Sequence, residues 1–154
     1  MAKDIKTNIM TQEEKNILIK ELCMRIPYGV KCNINGELCK VTRVDVECQQ
    51  VYLKKDDEHG GTYSIARGDI IKPYLRPLLN MTEKEKDDFY YKGSGEVDNT
   101  IDEKGMFFRN NIVPFDDINY AIDWLNAHHF DYRGLIEKGL ALVAPEDMYQ
   151  DIVL

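Results

Sequence analysis

The sequence has no apolar run near the ~20 residues that a helix needs to cross a bilayer. Its longest, Leu140-Ala141-Leu142-Val143-Ala144, is sized for a core. The start, Met1 to Met10, carries Lys3 and Lys6 but no apolar segment of the kind that directs secretion. The four cysteines, Cys23, Cys32, Cys39 and Cys48, are 9, 7 and 9 positions apart. That leaves no Cys-x-x-Cys pair for a zinc ribbon or a thioredoxin-type site. A phosphate-cradling loop, a dinucleotide fingerprint, a Gly-x-Ser-x-Gly elbow and a zinc-deaminase signature are missing too. Gly93-Ser94-Gly95 lacks the following Lys-Ser/Thr and reads as a linker. These gaps lead to the expectation of a cytoplasmic protein with reduced thiols, no membrane partner and no cofactor.

Positive charge is scarce in one half. The net charge of −7 divides unevenly: residues 1–79 hold 13 basic and 11 acidic side chains, and residues 80–154 hold 7 and 16. An acidic second half works against broad nucleic-acid binding, which needs Lys and Arg to neutralise phosphates. The 154 residues suit one domain with a core of its own.

Residues 1–10 read as a leader. Thr11 with Glu14 three positions on forms a capping box, and Ile17, Leu18, Leu22 and Met24 to Ile26 recur near helical spacing. A helix is therefore expected over 11–26, closed by Pro27-Tyr28-Gly29. Val30 to Ile34 alternates apolar and polar and runs into Asn35-Gly36, the preferred two-residue hairpin turn. This turn sets Ile34 opposite Glu37, Cys32 opposite Cys39 and Val30 opposite Val41. Val44, Val46 and Cys48 carry the other phase, so a bulge or bend is needed near Thr42-Arg43. A tight turn at Gln49-Gln50 leads into Val51-Tyr52-Leu53, and Tyr63 and Ile65 start a further strand. Pro73 and Pro77 argue against a central strand between them. Residues 28–79 thus read as four or five short antiparallel strands in a small, strongly bent barrel resembling SH3-like barrels. Thr82 and Glu85 cap a charged helix, and an acidic, flexible connector completes 80–105. The part over 106–154 is mainly helical, with Ile118, Ala121, Ile122 and Leu125 on one helix face. The fold class is α+β.

The stretch from Asp123 to Ala141, DWLNAHHFDYRGLIEKGLA, resembles the C-terminal signature of an uncharacterised family of short proteins from phages, prophages and mobile elements of gut bacteria. Lys72-Pro73-Tyr74-Leu75-Arg76-Pro77 and Met81-Thr82-Glu83 are similar to it as well, and the likeness spans roughly residues 10–149. It implies a genomic setting and carries no catalytic role.

Several clusters carry residue types suited to chemistry. Cys32 and Cys39 meet across the hairpin within reach of a disulfide, but this register makes them a hydrogen-bonded pair, where bridging is strained, so two core thiols are the better reading. His128, His129 and Asp131 offer metal-ligating atoms, yet adjacent histidines point about 100° apart on a helix. A helix C-terminus, where imidazoles face the negative dipole end, explains them more simply. Trp124, Tyr132 and Arg133 are residue types that anchor interfaces. With His128, His129 and Asp131 they form the candidate partner-binding group, against the alternative of an internal joint. The expected function is a non-enzymatic accessory protein that binds a host or phage protein. A nucleic-acid-associated barrel is the first alternative, drawing on Lys31, Lys40, Arg43, Lys54, Lys55, Arg67, Lys72 and Arg76 with Tyr52, Tyr63 and Tyr74. It stands if those bases share one face. An acidic DNA mimic and an enzyme of unrecognised type are the others.

Overall fold

The computed structural model describes residues 9–55, 60–93, 100–102, 105–107 and 115–150. The leader before residue 9, the 56–59 loop with His59, the linker at 94–99 and the Ile112-Val113 piece lie outside the described residues. Thr11 caps the first helix, α1 (Gln12–Arg25), by the expected reciprocal box: its hydroxyl accepts from the Glu14 amide at 3.1 Å. A 3-10 turn over Ile26–Tyr28 ends at Gly29.

Five strands follow: β1 (Lys31–Ile34), β2 (Glu37–Asp45), β3 (Gln50–Lys54), β4 (Gly60–Ser64) and β5 (Ile71–Leu75). The β1–β2 turn is as the sequence requires. Asn35 and Gly36 both take positive φ, 53° and 82°, and Cys32 pairs with Cys39 and Ile34 with Glu37. The register between β2 and β3 slips between Val41 and Arg43, where the change of phase demanded it, and the Thr42 hydroxyl donates to the Tyr52 carbonyl at 3.2 Å. Beyond Asp45 the strand ends, leaving Val46 and Cys48 exposed in the turn. Gln49 turns the chain at φ 52°.

The second half adds α2 (Glu83–Gly93), β6 (Thr100–Asp102), β7 (Gly105–Phe107), α3 (Phe115–Ala127) and β8 (Leu142–Val143). The stretch read as a connector contains β6, which pairs with β7 through Ile101 and Met106.

Strands β1 to β5 and β8 form one sheet in the order β4-β3-β2-β1-β5-β8. This corrects the barrel expectation. Closure requires the two end strands to pair, and here β4 and β8 are the two edges of an open, mixed sheet. The bulge in β2 shifts the register, and the sheet stays open. The proline argument is corrected as well: β5 contains Pro73 yet lies between β1 and β8. β8 runs parallel to β5 and meets it only from Tyr74 onward, Tyr74 with Leu142 and Leu75 with Val143. The missing Pro73 N–H therefore falls outside that ladder.

The chain divides into two compact units within β5, residues 1–72 and 73–154. In the first, Leu18, Ile19 and Leu22 of α1 pack on the inward side chains of the strands: Val30, Cys32, Ile34, Cys39, Val41, Val51, Leu53 and Ile71. Cys32 and Cys39 are buried free thiols, and burial, with Cys39 beside it, pushes the Cys32 thiol up to about 12. The same helix buries a charged pair, Arg25 and Glu21, with Nε to Oε1 at 2.6 Å and both side chains at 0% exposure. In the second unit Met81, Phe89, Ala121, Trp124, Leu125 and Phe130 form the core. The apolar stripe of α3 is rotated from its expected centre. Trp124 is in the middle of the buried face, and Ile118 and Ile122 are exposed.

Candidate functional site

Trp124 is the centre of the second unit's polar chemistry. Its indole stacks on His128 (centroids 3.8 Å apart, 19° between planes), lies parallel to Phe130 at 5.9 Å and takes the Phe89 ring edge-on at 5.0 Å. The indole N–H donates to Asp88 Oδ2 at 3.1 Å. Trp124 and His128 meet because His128, just past the end of α3, is four positions on, one helical turn along, and its amide still returns to the Trp124 carbonyl.

His128 lies 2.8 Å through Nδ1 from the Trp124 carbonyl. That carbonyl only accepts, so Nδ1 carries the proton. Burial pushes the His128 imidazole below its ordinary value, against the opposing pull of the Trp124 carbonyl and Glu85. His129 terminates α3 in the left-handed region, at φ 60°. The amides of His129 and Phe130 return to the carbonyls of Asn126 and Leu125, the paired bonds of a Schellman cap. Glycine usually fills that place; here the buried His129 ring stacks on Tyr149 at 3.7 Å, and the Tyr149 hydroxyl donates to the Tyr74 carbonyl at 2.9 Å.

Asp131 accepts from the amides of Leu135 and Ile136 at 2.8 and 2.9 Å. It starts the helical turn that closes at Gly139, where the amides of Gly139 and Leu140 return to Ile136 and Leu135. The Tyr132 hydroxyl donates to Asn126 Oδ1 at 3.0 Å, and the Arg133 guanidinium lies 5.8 Å from the Tyr132 ring. Trp124, His129 and Asp131 are buried, whereas His128, Tyr132 and Arg133 are half-buried. Among the described residues no three His, Cys, Asp or Glu side chains are grouped as metal ligands.

Arg76 has a different setting from the other basic residues grouped with the strands. Its guanidinium instead makes a two-pronged contact with Glu85, both bonds 2.7 Å, and lies 4.2 Å over the Phe130 ring. Its backbone N–H and C=O bond His129 and Asp131, each at 2.8 Å. Glu85 also closes the Thr82 cap, its carboxylate accepting from the Thr82 amide at 3.1 Å. Burial raises the Glu85 carboxyl, but hydrogen bonds from Arg76 and Thr82 outweigh it and hold the group below its usual value.

These two groups each contribute to the acid response. Folding lowers the pKa of His128, so the unfolded chain holds that proton more tightly. Its contribution is complete above about 6.5 and is lost as pH falls through the depressed folded value. Glu85 acts in the same direction in a more acid window, complete above about 4.5 and lost as pH falls through its own lowered value. The melting temperature is expected to fall in two steps between pH 7 and pH 3. His128→Gln removes the upper step and Glu85→Gln the lower; a single step unchanged by either substitution contradicts this.

The first unit places a second group. Lys31, Lys40 and Lys54 are directly paired across three strands, and Arg43 lies 4.5 Å over the Tyr52 ring in the row beyond. Lys55 pairs with Glu37, and Arg67 falls in the turn after β4. Compared with known proteins, the chain matches no family model, no curated protein and no solved structure.

Proposed function

We propose that the protein is a non-enzymatic binding module of a phage or prophage, and that its acidic second unit docks on a basic surface of a host or phage protein. The observation that carries this reading is the segregation of charge. Residues 1–72 hold 12 basic and 11 acidic side chains, whereas residues 73–154 hold 8 and 16. Of those 8, Arg76 is engaged by Glu85 and Lys86 by Glu83. Asp123, Glu137, Glu146 and Asp147 are exposed. Such a surface steers and orients a basic partner and repels a phosphate backbone. The side chains with catalytic potential also support a binding role. Trp124, His128, His129, Asp131 and Tyr132 each make contacts that hold the second unit together. No helix among the described residues is long and apolar enough to cross a membrane.

The test is capture by the tagged full-length chain from host lysate, with and without nuclease. A stoichiometric basic protein that survives nuclease and elutes with salt is expected. Recovery of nothing, or only of material lost on nuclease treatment, contradicts the reading.

A further inference from the structure

The hairpin between β1 and β2 turns in two residues, Asn35 and Gly36, at φ 53° and 82°. Asparagine and glycine fit there because each tolerates the left-handed region that such a turn demands. The same dipeptide carries a reaction. The carboxamide carbon of an asparagine can close a five-membered imide ring on the main-chain nitrogen of the next residue, and a glycine at that place has no side chain to shield the nitrogen. Asn35-Gly36 is the only Asn-Gly step in the chain.

The structure leaves this step accessible. Both residues are exposed. A Cβ built on Gly36 would meet nothing within 4 Å, so the space beside the nitrogen's own residue is open. One contact opposes the reaction. The Gly36 amide donates to Asn33 Oδ1 at 3.2 Å. An amide nitrogen attacks a carbonyl carbon only after giving up its proton, and a hydrogen-bonded proton is held more tightly. Asn33 therefore restrains the step, by about 2- to 12-fold in rate for the net worth of one such bond.

We infer that Asn35 is a site of spontaneous modification, losing its side-chain amide through a succinimide at a rate that Asn33 restrains. Hydroxide takes the Gly36 amide proton. The nitrogen then bonds Asn35 Cγ, the Cγ–Nδ2 bond breaks, and Nδ2 leaves as ammonia with a proton from water. Water opens the imide on either side. Breaking the new bond to Cγ gives aspartate. Breaking the original peptide bond gives isoaspartate, in which the chain runs through the side-chain carbons. No oxidant or reductant takes part. Aspartate keeps the main chain intact and suits the turn as asparagine does. Isoaspartate adds one methylene to the loop, and loop length sets the register of a hairpin. The register here holds Cys32, Ile34, Cys39 and Val41 in the core, so the isoaspartyl chain loses stability. The site is in the first unit and uses none of the acidic residues that the proposed protein partner requires. Either reading can therefore fail without the other.

The test holds the full folded chain at pH 6 and at pH 9 and follows ammonia release and the growth of a more acidic species on anion exchange. Fragmentation of the peptide around Asn35 locates the product. Conversion at Asn35, faster at pH 9 and yielding both aspartate and isoaspartate, is expected. The separated isoaspartyl species is expected to melt below the unconverted chain. Asn35→Gly keeps a permitted turn and abolishes conversion at this site. Asn33→Ala is expected to speed conversion about 2- to 12-fold, whereas Asn33→Asp, which keeps an acceptor for the Gly36 amide, does not. Faster conversion in an Asn33→Ala chain that melts with the wild type separates a released restraint from a loosened fold. The chain in urea, where the turn is absent, gives the unrestrained rate. No conversion of the folded chain at pH 9 overturns the inference, whether or not the chain in urea converts. So does conversion only at another asparagine, ammonia release undiminished in Asn35→Gly, or equal rates for the wild type and Asn33→Ala.

Discussion

Arg25→Ala is expected to cost about 3–5 kcal/mol of stability, because it leaves the Glu21 carboxylate buried without the guanidinium that faces it at 2.6 Å. Both side chains lie on the face of α1 that packs on the sheet, beside Leu18 and Leu22, and neither is exposed. Water cannot replace the lost guanidinium there, so the penalty is the desolvation of a buried charge rather than the modest worth of a surface pair. Replacing both members, Glu21→Leu with Arg25→Met, fills the same space with apolar atoms and is expected to recover most of the loss. Urea unfolding of the single and double variants checks this. A single variant within about 1 kcal/mol of the wild type contradicts a buried pair, given the size of that penalty.

Trp124→Ala is expected to cost about 3–5 kcal/mol as well, by a different route. It removes the ring on which His128 and Phe130 stack and against which Phe89 packs, and it leaves Asp88 without the indole donor. Trp124→Phe keeps an aromatic body and loses the N–H, so it is expected to cost about 1.5–3 kcal/mol, the worth of a hydrogen bond to a charged acceptor. Since Trp124 is the only tryptophan, its fluorescence reports this cluster without labelling. Equal losses for the two substitutions would show that packing contributes nothing beyond the hydrogen bond, against the geometry found.

Much of the first unit was legible because local rules decide it. The capping box at Thr11, the Asn35-Gly36 turn, the pairing of Cys32 with Cys39 and the bulge after Val41 each follow from neighbours within a few residues. What was illegible depends on partners distant in sequence. Whether the sheet closes depends on which strands lie at its edges, and β8 is only two residues long and pairs 68 positions away from Tyr74. Pro73 misled because β8 pairs with β5 only from Tyr74 onward and does not use the N–H that Pro73 lacks. The burial of Glu21 and Arg25 broke the apolar pattern of α1, since a charged pair contributes polar letters to a buried face.

The candidate site was half legible. The cluster from Trp124 to Arg133 was picked out by residue type, and the structure gives each member a contact within the second unit. His129 at a helix end was foreseen, but its left-handed backbone was not, because that position normally calls for glycine. Arg76 was placed with the wrong group, since nothing in its neighbourhood signals Glu85 or Phe130. The lysine row was present in the sequence only as scattered bases. Register made it a row, and register across three strands is not a local property.

The most direct measurement of the central claim compares the wild type with Asp123→Asn/Glu137→Gln/Glu146→Gln in binding the captured protein partner at several ionic strengths. These side chains are exposed, so the fold is expected to be unaffected. Docking through the acidic unit predicts weaker binding by the variant and a shallower salt dependence. Identical affinity and salt dependence for the two would contradict it.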